Sequence, residues 1–213
     1  TATVDFDNLT VLSLEGTEQP QTESNILFED YFDSDASGWA TGEFEDDYTV
    51  DEITIEDGVY TLNVTAKKQA YVEKTVPNRK FSDFVVTLDA TPQDSEEHYS
   101  YGLAFRENTD YYTYAFEIGN DGLYSIQLYD GEWKTLKAWS STDAIKVGET
   151  NELKVIADGS SLTFFVNDEE LTSLEDDTLA EGTVGLIIDM FEEGKSTAVQ
   201  FDNLVIRELN GVY

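Results

Sequence analysis

Asp33-Ser-Asp-Ala-Ser-Gly38 sets oxygen-bearing side chains at alternate positions and follows them with glycine, as the first half of a calcium loop does. The bidentate glutamate that would complete an EF-hand is missing, because Phe44 stands at its place. Glu52-Ile-Thr-Ile-Glu56 puts two carboxyl groups on one face of an extended segment, and paired carboxyls are the raw material of acid–base chemistry. Arg106 is one of only three arginines in the chain, and its planar fork suits a carboxylate or a sugar hydroxyl. Trp133 and Trp139 offer flat faces to the C–H side of a pyranose, with core or rim packing as the other reading. The one histidine, His98, lies in the polar run Ser95-Glu-Glu-His98 and reads as a surface residue. No glycine-rich phosphate loop and no histidine cluster is present.

Composition narrows the classes. The chain has 213 residues, with 12 basic against 45 acidic side chains and a net charge of −33. Such a surface repels nucleic acid and anionic membranes, which excludes both as direct partners. Cysteine is absent, so disulfides, thiolate metal sites and cysteine nucleophiles are excluded too. No apolar run approaches the length of a membrane span. The 12 Tyr, 12 Phe and 3 Trp supply far more apolar bulk than a disordered acidic tail carries.

The elements that must position these residues are strands. Apolar and polar residues alternate in Phe84 to Thr91, Tyr99 to Arg106, Tyr112 to Ile118 and Leu123 to Tyr129. Further strands are expected at Ile53 to Ile55, Val59 to Thr65, Ala70 to Val76, Asn151 to Ala157, Leu162 to Asn167, Gly182 to Met190 and Ala198 to Arg207. Asp57-Gly58 marks a hairpin, and Asp121-Gly122 and Asp130-Gly131 mark turns, the last leading into a loop flanked by Trp133 and Trp139. Leu174 to Ala180 has room for one short helical turn. The pattern predicts an all-β, antiparallel jelly-roll β-sandwich, with one sheet showing a polar, concave face to solvent. Tyr101, Phe105, Tyr114, Phe116 and Tyr124 fall on the buried side. Asp89, Arg106, Glu117 and Gln127 fall on the polar side and form, with Trp133 and Trp139, the candidate ligand-binding set. An ion pair of Arg106 with Glu117 or Asp89 is the alternative use of the arginine.

Phe32 to Trp39, Asp57-Gly-Val-Tyr60, Phe81-Ser-Asp-Phe84, Tyr101-Gly-Leu-Ala-Phe-Arg106, Asp121-Gly-Leu-Tyr124, Asn151-Glu-Leu, Phe165-Val-Asn167, Gly182-Thr-Val-Gly185 and Phe201-Asp-Asn203 occur in one order. That order resembles concanavalin A-like lectin/glucanase (LamG-like) jelly-roll domains of exported bacterial multidomain proteins. The resemblance covers residues 26–208. It implies two curved antiparallel sheets, an extracellular or cell-surface location, and a carbohydrate- or surface-binding role. It also implies a structural Ca²⁺ held by Asp30, Asp33 and Asp202, with local hydrogen bonding of these side chains as the alternative. Glycosidases of this fold carry a Glu-x-Asp-x-Glu strand. In Glu52 to Glu56 the middle acid is Thr54, and the segment precedes the Asp57-Gly58 hairpin instead of following it. The expectation is therefore a domain that is not an enzyme.

Phe6-Asp-Asn-Leu9 near one end repeats as Phe201-Asp-Asn-Leu204 near the other, each copy preceded by Val at the same distance. The expected organisation is an N-terminal strand in residues 1–14 that resembles the closing strand of a preceding unit. A linker at 15–25, the sandwich at 26–208 and a tail at 209–213 complete it. Val4, Phe6, Leu9 and Val11 form the apolar side of that extra strand, which must pair with something. Three uses stay open: pairing within the domain, donation to another copy, or membership of an earlier domain in a longer array. The leading functional expectation is a non-catalytic structural and adhesive module, repeated in a surface protein or joined head to tail into a filament. Its partners are copies of itself or neighbouring repeats. A carbohydrate-binding module with a polysaccharide partner is the alternative, and a glycoside hydrolase comes third.

Overall fold

Alternation becomes structure wherever one face of a segment can be buried. In Phe84–Pro92, Phe84, Val86, Leu88 and Ala90 are buried and the residues between them are half-exposed. That is the pattern of a strand with one wet face. The computed structural model describes residues 25–209 and contains no helix among them. In chain order the strands are β1 (Ile26–Asp30), β2 (Gly42–Glu45), β3 (Thr49–Glu56), β4 (Val59–Ala66), β5 (Ala70–Thr75) and β6 (Phe84–Pro92). Then come β7 (Tyr99–Glu107), β8 (Thr113–Gly119), β9 (Leu123–Tyr129) and β10 (Trp133–Ser141). The last are β11 (Asn151–Asp158), β12 (Ser161–Val166), β13 (Glu169–Glu175), β14 (Thr183–Met190) and β15 (Ser196–Glu208). The expectations for residues 1–24, including the joining strand of Val4, Phe6, Leu9 and Val11, lie outside the described residues.

The strands make the antiparallel sandwich expected of a concanavalin A-like jelly roll. One sheet of nine runs β13-β12-β11-β6-β15-β4-β3-β2, with β1 paired to the second half of β15. The other, of six, runs β10-β9-β8-β7-β14-β5. At the expected β3–β4 hairpin, Asp57 and Gly58 both take positive φ, 53° and 77°, as a tight I′ turn requires. Between the sheets, Phe105 stacks on Tyr114 with 5.1 Å between ring centres and meets Phe84 and Phe164 at 6.4 and 6.0 Å. Tyr101, Phe116 and Tyr124 are buried in the same core.

β1, β2, β10 and β13 are strands that alternation did not single out. Leu174, expected to begin a helical turn, instead pairs with Leu162 across β12 and β13. β10 matters most, because Trp133 and Trp139 lie on it rather than flanking a loop. Its pairing with β9 slips between Thr135 and Lys137 and again between Lys137 and Ser140. Such bulges bend a strand and increase its twist. The Trp133 ring comes within 5.0 Å of Tyr71 on β5, centre to centre, although β10 and β5 are opposite edges of the six-stranded sheet. Five flat gaps of about 4.8 Å would hold those edges about 24 Å apart. The sheet is therefore strongly curled, and its face away from the core lies inside the curl.

Candidate functional site

The inside of the curl is the candidate site. Register places its residues in rows across the strands. One row is Tyr71, Asp189, Ser100 and Gly119. The next is Glu73, Ile187, Gly102, Glu117 and Ser125. The third is Thr75, Gly185, Ala104, Ala115, Gln127 and Thr135. Small residues form most of the floor, and carboxyl groups stand on both sides of it. The floor is small by necessity: a Cβ on Gly102 would lie 2.0 Å from Phe116 O, and one on Gly185 would lie 2.6 Å from Glu73 Oε1. The roof is aromatic, a run from Tyr112 through Tyr129 and Trp133 to Tyr71 with ring centres 5.0 to 6.1 Å apart. At the other end of β10, Trp139 meets Phe191, the residue after β14, at 6.2 Å. Trp133 and Trp139 remain 47% and 39% exposed, so both keep a face open to solvent at the mouth.

Enclosure changes the chemistry of the acids. Glu117 is only 3% exposed. Its burial, and then the charge of Asp189, push its carboxyl up to about 8. Burial raises Asp189 to about 6. Near neutrality Glu117 is therefore mostly a hydrogen-bond donor and Asp189 mostly an acceptor. Burial, followed by the charge of Glu107, holds Glu73 well above the carboxylate range. Tyr71 donates its hydroxyl to Glu73 Oε2 at 3.2 Å, while Glu73 Oε1 is buried with no partner. Ser100 Oγ is buried near Glu117 but outside hydrogen-bonding geometry. Gln127 donates to Ser125 Oγ at 2.6 Å, and Ser125 in turn donates to Lys137 O at 3.2 Å, which pins the bulged part of β10 over the face.

The expected ligand set divides. Glu117, Gln127 and the tryptophans of β10 come together at the curl. Asp89 does not: it stands on β6 in the other sheet and accepts from Asn203 Nδ2 at 2.8 Å. Arg106 is the larger correction. It is fully buried and has φ of 56°, at a break in the β7–β14 register, which rotates it off the polar face. Its guanidinium donates to Ser82 O from Nε and Nη2 at 3.0 and 2.8 Å. From Nη1 it donates to Gly159 O at 2.8 Å and Leu179 O at 3.0 Å. Its carboxylate neighbour is Asp83 at 3.4 Å, not Glu117 or Asp89. Arg106 therefore ties three loops together and has no donor left for a ligand on the face. His98 is buried rather than superficial, with Nε2 3.2 Å from Ser196 O. Glu52 and Glu56 are exposed on β3, in the nine-stranded sheet.

The acidic turn is held by local bonds. Asp30 Oδ1 accepts the Phe32 N–H at 2.8 Å and its Oδ2 accepts the Trp39 indole N–H at 2.9 Å. Asp202 Oδ1 accepts from Asn203 N at 2.6 Å. Burial, then the charges of Asp89, Asp33 and Asp30, raise the Asp202 carboxyl. Among the described residues no three acidic or histidine side chains converge on a point where a metal ion could sit. The carboxyls of Asp30 and Asp202 thus make the local hydrogen bonds expected as the alternative to a calcium ion.

Sequence reasoning missed Glu73, Asp189 and Tyr71. The available signal was Asp189 itself, an acid inside Leu186-Ile-Ile-Asp-Met190.

No curated protein matches the chain. Solved structures share its fold. Carbohydrate-binding module CBM66 from Bacillus subtilis is 21% identical, with a TM-score of 0.58 over 81% of this chain and 96% of that one. A β-1,3-1,4-glucanase (lichenase) from a mouse hindgut metagenome is 15% identical, with a TM-score of 0.62 over 85% and 99%. LamA from Zobellia galactanivorans, solved with laminaritriose and laminaritetraose, is 12% identical, with a TM-score of 0.61 over 86% and 99%. At these identities the likeness is one of fold. A family model described as a 3-keto-alpha-glucoside-1,2-lyase-like domain matches residues 27–207, from β1 to β15, and the chain belongs to that family.

Proposed function

We propose that this chain binds carbohydrate at the curled face of its six-stranded sheet. Trp133 and Trp139 would stack on sugar rings at the mouth, while Glu117, Asp189 and Gln127 would meet hydroxyl groups behind them. The observation that carries this reading is β10, one strand that holds two partly exposed tryptophans over a face with the buried Glu117 and the half-buried Asp189 and Glu73. Protonated Glu117 donates and ionised Asp189 accepts, so hydroxyl groups can be bound in both senses. The folds of a carbohydrate-binding module and of glucanases point the same way. The filament reading draws on residues 1–14 and gains no such support. Calorimetry with soluble laminarin and mixed-linkage glucan tests the proposal. Trp133→Ala is expected to weaken binding about tenfold, the effect of losing ~1.4 kcal/mol. A Trp133→Ala, Trp139→Ala double variant that binds as well as the parent would refute it.

A second reading rests on the Glu117–Asp189 pair. Two neighbouring carboxyls with pKa values of about 8 and about 6 divide into an acid and a base near neutrality, the division that general acid–base catalysis uses. Incubating the protein with a 3-keto-α-glucoside and following the sugar by NMR tests for cleavage. If the pair is catalytic, Glu117→Gln abolishes turnover while leaving saccharide affinity within a few-fold.

A further inference from the structure

β5 is an edge strand, paired only with β14. Val76 N–H donates to Val184 O, so the even-numbered residues of β5 are the hydrogen-bonded partners of β14 in this antiparallel ladder. Tyr71 and Glu73 therefore turn their backbone N–H and C=O groups the other way, where no strand follows. There β5 faces the β2–β3 hairpin of the other sheet across a cleft of about 450 Å³, lined by Tyr48, Thr49, Asp51, Gln69, Tyr71 and Glu73 among others. Asp51 is the informative residue. Its side chain is 6% exposed, and Oδ2 holds Lys74 Nζ at 2.9 Å. Its Oδ1 is buried with no hydrogen-bond partner. An orphaned buried acceptor is costly and calls for a donor. Tyr48, on the hairpin lip, is 53% exposed, with Lys68 Nζ 4.5 Å from its ring centre on one face.

Three ligand chemistries can be compared. An anion is repelled by Asp46 and Asp51, both in the lining. A cation satisfies Asp51 Oδ1 but meets Lys74 on the same carboxylate. A neutral polyol gives hydroxyl donors to Asp51 Oδ1 and to the strand-edge carbonyls, accepts from the strand-edge N–H groups, and lays a C–H face on Tyr48. We propose that this cleft is a second subsite, for a neutral saccharide, distinct from the β10 tryptophans. Tyr71 and Glu73 join the two, because their side chains stand on the curled face while their backbone edges the cleft. The inference rests on the reading of this chain as a saccharide binder, but its stacking residue is Tyr48 and not a tryptophan of β10.

Two-dimensional ¹H–¹⁵N spectra of the full chain, titrated with laminaritriose, cellotriose and maltotriose, test it. Amides of Thr49, Tyr71 and Glu73 are expected to shift with at least one trisaccharide, and to keep shifting in the Trp133→Ala, Trp139→Ala variant. Tyr48→Ala, which alters an exposed side chain and leaves the fold intact, should weaken that response about tenfold. Asp51→Asn should weaken it as well. Shifts confined to β9 and β10 overturn the second subsite and leave the first. Shifts confined to the cleft support it and remove the curled-face site. No shift with any of the three trisaccharides overturns it.

Discussion

Arg106 draws the carbonyl oxygens of Ser82, Gly159 and Leu179 to one guanidinium inside the fold, so removing it leaves three acceptors facing one another. Leaving a buried acceptor without its donor costs about 1–3 kcal/mol. Arg106→Ala is expected to lower the urea midpoint accordingly. Arg106→Lys recovers little, because a point charge cannot fork to separate carbonyls. Saccharide affinity per folded molecule should be unchanged in both. A fall in affinity with no fall in stability would restore the arginine to the binding face, where alternation alone puts it. The error has a physical source: one residue with φ of 56° at a register break reverses the phase of everything it carries. Sequence alternation cannot show a bulge that its partner strand creates. Glu73 and Asp189 were hidden for another reason. Among 45 acids only Asp189, inside an apolar run, carries a sequence signal, and what distinguishes both is enclosure by strands far away in sequence.

At the scale of elements, most strands were legible because each buries one face against the core, and a period of two records that directly. β7 and β8 break the pattern, since both of their faces are buried, one by the opposite sheet and one by the curl. Their small residues, Gly102, Ala104 and Ala115, therefore looked like a solvent face and are in fact a floor. The floor sets a testable limit. Gly102→Ala adds a methyl group 2.0 Å from Phe116 O, so β7 and β8 must separate or bend. Overpacking of this kind costs about 1–3 kcal/mol. The expected outcome is a lower melting temperature, together with weaker saccharide binding as the rows of the face lose register. An unchanged melting temperature would mean that the two strands give way freely. β10 was illegible for the opposite reason. It is largely exposed and contributes little apolar alternation, and its place is set by what Trp133 and Trp139 touch across the curl.

For the molecule as a whole, the buried acids couple stability to pH. The folded pKa of Glu117, about 8, lies above its ordinary 4.5, and that of Asp189, about 6, lies above 3.8. Below the ordinary values both states are protonated and the folded state bears no penalty. As pH rises from about 4 toward 8, the unfolded chain releases these protons first, so stability falls across that window and levels off above it. Repulsion within a chain of net charge −33 acts in the same direction, so the parent's slope alone does not identify the cause. Glu117→Gln separates them. The variant should lose a clear part of the fall between pH 5 and 8 in denaturation experiments, whereas a slope equal to the parent's would assign the whole effect to general repulsion. The three tryptophans also divide the molecule optically. Trp39 is 4% exposed, packed against Phe32 and Tyr60, with its indole N–H bound to a carboxylate. The two on β10 face water. Acrylamide thus quenches the β10 pair and spares Trp39. Emission from one population reports whether the mouth is occupied, and emission from the other reports whether the sandwich is still closed, in a single cuvette and without a label.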